Sequence, residues 1–543
     1  QGISQTVYEI SKIGGHSDYV KNISIFEGSA GNDIFTVTNG TYEFIGGSGD
    51  DTFNGTNFTG VVINGSNHTI DSSGTQGAIN AYATKGDTVD YSNVADKIII
   101  SLQDGSDPTT VRVGEDTTNH TIKNIENIIG SNTADDTIIG NSSNNTIIGG
   151  GGDDTIDGAG GNNYLDGGSH ISGDTVSFES VTSVNGISVN IGNSAVTING
   201  TSYTASNAIR NGFTSTVVNF ENIQGSKNAD ILIGSDESNI IKAGDGNDTI
   251  YGGKGSNFLF GEAGADTFIM GGFFGSGNNY INQVDGGSGA DVLDYSLVTT
   301  GAISVTLDGE EEVKVSIYSD NTRGTIITNT YDMIKNIRNV IGTSGNDLIT
   351  GDANANELYG GVGDDTLDGG AGDDKLFGGS GNDTIISSGG KNIIDGGDHN
   401  GIGDWVWYNQ KLMALNINMN STDINGYASA NFGAESDKLI NIENIKGTTL
   451  ADFIGGNNSN NILDAYMGDG NTLVGSGGDD TLLGSSNGND IFKAGILLSD
   501  GSIVDGDDGN NLINGVGGTS NTVDYSSMQA IELLKLIYTH LIL

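Results

Sequence analysis

This chain should be all-β: a right-handed parallel β-roll or β-helix solenoid, interrupted by irregular β excursions. From Gly360 to Ile386 it reads GGVGDDTLD GGAGDDKLF GGSGNDTII, three nine-residue units in unbroken register. Each has the form G-G-x-G-x-D-x-U-x, with U the apolar Leu367, Leu376 or Ile385. Further copies recur elsewhere, as at 149–157, and 89 Gly against a lone Pro108 suit coils closed by tight turns.

The unit dictates its own conformation. Glycine at several positions permits positive φ, and x-U-x is just long enough for a minimal strand. Alternation along that strand sends U inward and its neighbours outward. One unit buries almost nothing, whereas stacked coils bury a continuous apolar column. Two units per coil give a flattened roll with two strand faces and two turn edges. A disordered Gly/Asp linker would have no reason to keep this register.

Stacking also sets the Asp at position six above the residue eighteen further on, about 4.8 Å away. Rows of carboxylates at that spacing repel each other. A hard divalent cation between successive turns removes the repulsion, and Ca²⁺ tolerates irregular six-to-eight oxygen coordination better than Mg²⁺ does. Zinc is disfavoured, because there is no Cys and the six His are scattered. The expected calcium ligands are Asp33, Asp51, Asp136, Asp154, Asp230, Asp248, Asp266, Asp347, Asp365, Asp374, Asp383, Asp452, Asp480 and Asp490. The turn glycines Gly150, Gly152, Gly361, Gly363, Gly370, Gly372, Gly379 and Gly381 join them.

Counting by nine, Asp alternates with Asn through much of the chain: Asp136, Asn145, Asp154, Asn163, then Asp230, Asn239, Asp248, Asn257, Asp266. One edge of those blocks should therefore be an Asp ladder and the other an Asn ladder, whose amides can stack without a cation. Around Asp374 both edges carry Asp. In the fifth block Asn471 and Asp490 each arrive after ten residues rather than nine, which predicts bulged turns and poorer sites.

Between blocks the chain leaves the roll through similar phrases: GDTVDYS (86–92), GDTVSFE (173–179), ADVLDYS (290–296), GDWVWYN (403–409) and NTVDYSS (521–527). It returns through KNIENIIG (123–130), VNFENIQG (218–225), KNIRNVIG (335–342) and INIENIKG (440–447), with KNISIFEG (21–28) a worn first copy. Segments between, such as KIIISLQ (97–103), ISVNIG (187–192) and ISVTLDG (303–309), read as strands that continue the roll as wider coils. The alternative is a separate small β-domain in each module. The resulting organisation is 1–85, a partial first module with a roll block; 86–172, 173–289 and 290–402, each an excursion plus a roll block; 403–521, an excursion plus an irregular block; and 522–543, the start of an excursion and an apolar tail. That tail, from Gln529 to Leu543, reads as a capping helix, as part of a C-terminal export signal, or as a disordered end. Because the chain opens on Gln1 and partway through a module, it is expected to be a piece of something longer.

A formal charge of −48, from 69 acidic against 21 basic residues, leaves no basic patch for phosphates and excludes nucleic acid as a partner. Without counter-ions such a chain self-repels. Zero Cys rules out a disulfide framework. No apolar run approaches the roughly 20 residues of a transmembrane segment. There is no H-E-x-x-H and no P-loop, and the formal G-x-S-x-G at 484–488 lacks the strand-to-helix setting that motif needs. Each His reads as a surface residue, and Trp405 and Trp407, two apart on one face, read as core packing rather than a sugar platform. No enzyme is expected.

The units at 149–157, 244–252 and 360–386 resemble those of the RTX family of bacterial secreted proteins. The phrases DTVDYS and NIENI look like those flanking RTX blocks in S-layer proteins and large adhesins. The resemblance extends over nearly the whole chain, unlike RTX toxins, lipases and proteases, whose blocks follow a catalytic or pore-forming domain. It implies export through a type I secretion channel, unfolded in low cytosolic calcium, and folding at the cell surface or outside the cell. The expected function is a calcium-dependent extracellular structural protein that self-assembles as a homo-oligomeric lattice or fibre, with a cell-surface polysaccharide as a further partner. An adhesin stalk or ligand-binding region, and the carrier region of a secreted enzyme, are the alternatives.

Overall fold

The structure is a computed structural model and describes residues 8–12, 16–20, 24–37, 43–55, 58, 61–65, 86–104, 107–114, 118–181, 184–271, 280–486, 488–493, 495–498, 502–504, 509–517 and 520–526. The apolar tail 529–543 lies outside them, so none of its three readings is addressed. The chain forms two compact units, 1–254 and 255–543. Every element among the described residues is a β-strand, most of them three residues long.

Both units are rolls of two parallel sheets, with consecutive nonapeptides contributing alternately to one sheet and the other. Thr366–Asp368 pairs parallel and in register with Thr384–Ile386, eighteen residues on, while Lys375–Ser380 pairs with Glu357–Val362 in the facing sheet. The U residues form two inward columns. In the first unit one column runs Ile138, Ile156, Val176, Ile223, Ile241 and the other Val89, Ile128, Ile147, Leu165, Val217, all buried. In the second unit the same rule aligns Ile349, Leu367, Ile385, Val406, Ile445, Leu463 and Leu482. Each such side chain contributes about 1.5–3 kcal/mol of apolar burial. No single coil could hold itself together on that amount.

The turns need glycine where the backbone crosses to positive φ. Gly381, at φ +150°, shows the second reason: a Cβ there would collide with the carbonyl of Gly363, one coil away. Coils one strand spacing apart leave no room for a side chain at that corner.

The excursions stay within the roll, but not as wider coils. Each is a three-strand antiparallel meander laid into one of the two sheets. Ile98–Ser101 pairs parallel with Thr137–Ile139, Thr118–Lys123 pairs parallel with Val62–Asn64, and Thr109–Val113 fills the gap antiparallel to both. The same stitch recurs with Asn207–Arg210, Val313–Tyr318 and Ala428–Phe432 as the reversed strand. The chain thus steps two rungs ahead, doubles back, and resumes beside the strand it left.

The aromatic residue of each departure phrase anchors the stitch. Tyr91, Phe178, Tyr295 and Tyr408 are all buried. Tyr91 Oη lies 2.7 Å from His120 Nε2, and Tyr295 Oη donates to Asp332 Oδ2 at 2.5 Å, each partner sitting on the last meander strand. His120 is therefore a core residue, not a surface one. The tryptophans also depart from expectation: Val406 occupies the inward position, so Trp405 and Trp407 lie on the outer face, where Lys446 Nζ sits 4.9 Å from the Trp407 ring. In the three-residue strands of the roll's coils the middle residue is usually the one that enters the core, as Val406 does here.

Candidate metal centre

The position-six side chains form continuous ladders. Asp136 N–H donates to Asp154 Oδ1 at 2.7 Å, and Asp154 N–H to Asp174 Oδ1 at 2.7 Å. In the second unit Asp347, Asp365 and Asp383 donate in turn to Oδ1 of Asp365, Asp383 and Asp404, at 2.6, 2.8 and 2.7 Å. Four ladders begin at or just before the first meander strand: the N–H groups of Ile98, Ile187, Ile303 and Leu415 reach Oδ1 of Asp136, Asp230, Asp347 and Asp452 at 2.7–2.8 Å. Ladders end on the return phrase, where Asp87, Asp174 and Asp404 N–H donate to the carboxylates of Glu126, Glu221 and Glu443 at 3.0, 2.9 and 2.8 Å. Arg338 holds the corresponding place beside Asp291, its N–H on the Asp291 carbonyl at 3.1 Å.

The second carboxylate oxygen separates two kinds of rung. In the opening units, and again at Ser485 late in block five, position two is Ser or Thr, whose N–H bonds Oδ2: Ser29 to Asp33, Ser131 to Asp136, Ser226 to Asp230, Thr343 to Asp347, Thr448 to Asp452 and Ser485 to Asp490, at 2.5–2.6 Å. In later units that position is glycine at positive φ, as at Gly150, Gly361, Gly370 and Gly379, and so is position four, as at Gly152, Gly363, Gly372 and Gly381. There Oδ2 of Asp51, Asp87, Asp154, Asp174, Asp291, Asp365, Asp374, Asp383 and Asp404 is buried without a hydrogen-bond partner. A Cβ on Gly149, Gly360 or Gly378 would fall against both this oxygen and a glycine carbonyl of the next coil. Carboxylate and carbonyl oxygens therefore face a small space with no donor in it. An oxygen-seeking cation such as Ca²⁺ fits that donor set.

Asparagine at position six solves the same problem without a cation. Asn145 Oδ1 accepts the Asn141 N–H at 3.0 Å, while its Nδ2 donates to the Glu126 carbonyl at 2.8 Å. Asn356 and Asn461 donate likewise to the carbonyls of Arg338 and Glu443, at 2.7 and 2.8 Å. The amides mostly bond turn carbonyls rather than one another; Asn257 Nδ2 to Asn282 Oδ1, at 3.0 Å, is an amide-to-amide exception.

In blocks two and three Asp and Asn segregate by edge, whereas Asp374 stands between Asn356 and Asn392 and block five mixes the two on both edges; the main Asp edge changes at each stitch. In the first unit Asp33, Asp51 and Asp87 precede strands of one sheet, and Asp136, Asp154 and Asp174 precede strands of the other. In the second unit Asp266 and Asp291 serve one sheet, Asp347, Asp365, Asp383 and Asp404 its partner, and Asp452 the first again. The return strand pairs beside the departure strand, so the next Asp falls half a coil on. In the fifth block the ladder survives its extra residues: Asp452 donates to Asn471 and Asn471 to Asp490, each nineteen apart, with Tyr466 and Ser476 taking positive φ.

Counting by nine missed Asp174, Asp291 and Asp404, because 20, 25 and 21 residues separate them from the preceding rung, whereas Asp87, 36 residues beyond Asp51, keeps the phase but lies past the end of the regular block. For Asp87, Asp174 and Asp404 the signal was present in G-D-x-V, which is positions five to eight of a unit; Asp291 stands in A-D-V-L. His170 and His399 are half-exposed but sit against ladder-end carboxylates, so neither is an isolated surface residue.

Burial is the main force on these carboxyls. It pushes Asp87 and Asp365 up to about 8, and Asp154, Asp374 and Asp383 to about 7, with neighbouring carboxylates adding to the rise. A carboxyl raised above its unfolded value binds protons more tightly when folded. The cation-free roll therefore loses stability as pH rises from about 4 through 7–8. A cation must displace those protons, so calcium is held more weakly as pH falls from 8 to 6, by about tenfold per pH unit for each proton displaced. Calcium titrations followed by circular dichroism at pH 6 and pH 8 check this; a pH-independent midpoint contradicts it.

Residues 131–168, 233–268, 341–376, 368–401 and 467–496 match the family model described as RTX calcium-binding nonapeptide repeat (4 copies). No curated protein matches the chain. The matched segments fall on the ladder-bearing coils of blocks two to five, and this protein carries RTX calcium-binding nonapeptide repeats in a β-roll.

Proposed function

We propose that this is a non-enzymatic, calcium-dependent extracellular structural protein, which folds when calcium fills its ladders and then assembles with copies of itself into a surface layer or filament. The observation that carries the reading is the file of buried Asp oxygens facing turn carbonyls without a donor. In this reading the position-six Asp residues ligate calcium together with carbonyls of the GGxG turns. The departure residues Asp87 and Asp291 extend their files in the same way. RTX repeats are typical of type I secreted proteins, so the chain would cross the cell envelope unfolded in low calcium and coil outside. No helix among the described residues is long and apolar enough to cross a membrane. Binding at the 10⁻⁴–10⁻³ M typical of extracellular calcium modules confines folding to that side.

Assembly follows from the charge. A surface with a formal −48 repels its copies until divalent ions bridge them. Electron microscopy of the full chain in millimolar calcium should show an ordered lattice or filaments that dissolve in EGTA. Monodisperse particles at saturating calcium defeat the assembly reading, and saturable glycan binding by those particles would favour an adhesin.

A further inference from the structure

Two of the ladder ends differ chemically from every other rung. We propose that His170–Asp174–Glu221 and His399–Asp404–Glu443 are equivalent binding sites for a borderline divalent cation of the Zn²⁺ class, distinct from the all-oxygen calcium ladder. In each triad the ligand atoms lie within 4.8 Å of one another. His170 Nδ1 is 3.0 Å from Glu221 Oε2 and 4.0 Å from Asp174 Oδ2; His399 Nδ1 is 3.3 Å from Glu443 Oε2. Ligands bound to one zinc ion at about 2.0–2.2 Å stand about 3.0–3.6 Å apart, so the donors need little movement.

The second observation is independent of that clustering. Asp174 and Asp404 are 0% exposed, and Oδ2 of each, which in Asp174 faces the His170 ring, has no hydrogen-bond partner. Their other oxygens are already used, by Asp154 N–H and Asp383 N–H. The glutamates are aimed by backbone too, through Asp174 N–H and Asp404 N–H. A side chain at Gly167 or Gly396 would fill the space between the free oxygen and the carbonyl of Asn219 or Asn441. Both pockets are built from the same parts.

Sequence explains why only these two ends have the arrangement. In GGSHISGD (167–174) and GGDHNGIGD (396–404), His takes position four, which is glycine in the regular unit, and two or three extra residues follow before the Asp. The departure at Asp291 has the regular GGSGAD (286–291), no His, and Arg338 where the others have Glu. There the positive charge of Arg338 acts on Asp291 instead. Imidazole nitrogen suits zinc, copper and nickel, whereas calcium selects oxygen, so the His is what sets these ends apart.

The test uses the full chain in saturating calcium, titrated with Zn²⁺ by calorimetry. Two equivalents of zinc should be lost in the His170→Gln/His399→Gln double variant and one in each single variant, with calcium-dependent circular dichroism unchanged. X-ray absorption of the zinc-loaded wild type should show a mixed nitrogen and oxygen shell. Equal zinc stoichiometry in the wild type and the double variant, displacement of all zinc by calcium, or an oxygen-only shell each overturns the proposal. Failure of calcium-dependent folding in the wild type would instead strike the function proposed above.

Discussion

Stripping calcium from the full chain with excess EGTA abolishes its β-sheet spectrum and its cooperative melting transition, and adding calcium back restores both. The expectation rests on magnitudes. Among the described residues, nine of the buried Asp oxygens named above, from Asp51 to Asp404, have no donor. An uncompensated buried charge costs several kcal/mol, while a whole domain is stable by about 5–15 kcal/mol. Protonation relieves the cost only partly at neutral pH, since burial lifts most of these groups to about 6–8. Nine such costs together exceed the margin of about 5–15 kcal/mol that remains to a folded domain once chain entropy has been set against apolar burial. With calcium the melting temperature should climb steadily with the logarithm of its concentration, because ligation in the folded state is folding energy. A spectrum and melting point that survive exhaustive chelation would overturn both the ladder argument and the proposed function.

Asp365 offers the second large effect, one that changes sign. Its Oδ1 caps Asp347 N–H at 2.6 Å, and its Oδ2 has no donor. Asp365→Asn keeps the cap and supplies an amide N–H of the kind Asn356 already directs at the Arg338 carbonyl. At limiting calcium this variant should melt higher than the wild type, by about 1–3 kcal/mol or roughly 2–4 °C for each kcal/mol. At saturating calcium it should melt lower, having lost a ligand. Asp365→Ala also strands the Asp347 N–H, and should melt lower at both concentrations by a similar amount. Thermal melts of the three proteins at two calcium concentrations decide the matter; an Asn variant that tracks the Ala variant throughout refutes the amide-for-cation argument.

Much of this was legible because the repeat is a local code. Leu367, Leu376 and Ile385 could be placed inward from a period of two, and Asp365 above Asp347 from a period of eighteen. The meanders were not legible as such, because KIIISLQ says strand without saying which neighbour it meets. Only the pairing of Ile98–Ser101 with Thr137–Ile139, across the gap filled by Thr109–Val113, decides that. Asp174 and Asp404 escaped for a related reason: inserted residues break the count while leaving the local G-D-x-V intact. His120 was misplaced because its partner, Tyr91, lies 29 residues away. The tryptophans were misread through their size, although Val406 between them already marked the inward position.

The stitches also partition the ionic character of the molecule. Because each one moves the acidic file to the opposite flank and closes it with Glu126, Glu221, Arg338 or Glu443, no run of bound ions extends beyond a single module. Filling should then proceed in packets of a few ions, each committing its own coils. A module emptied by damage or dilution would leave the files on either side charged and wound, much as bulkheads confine flooding to one compartment.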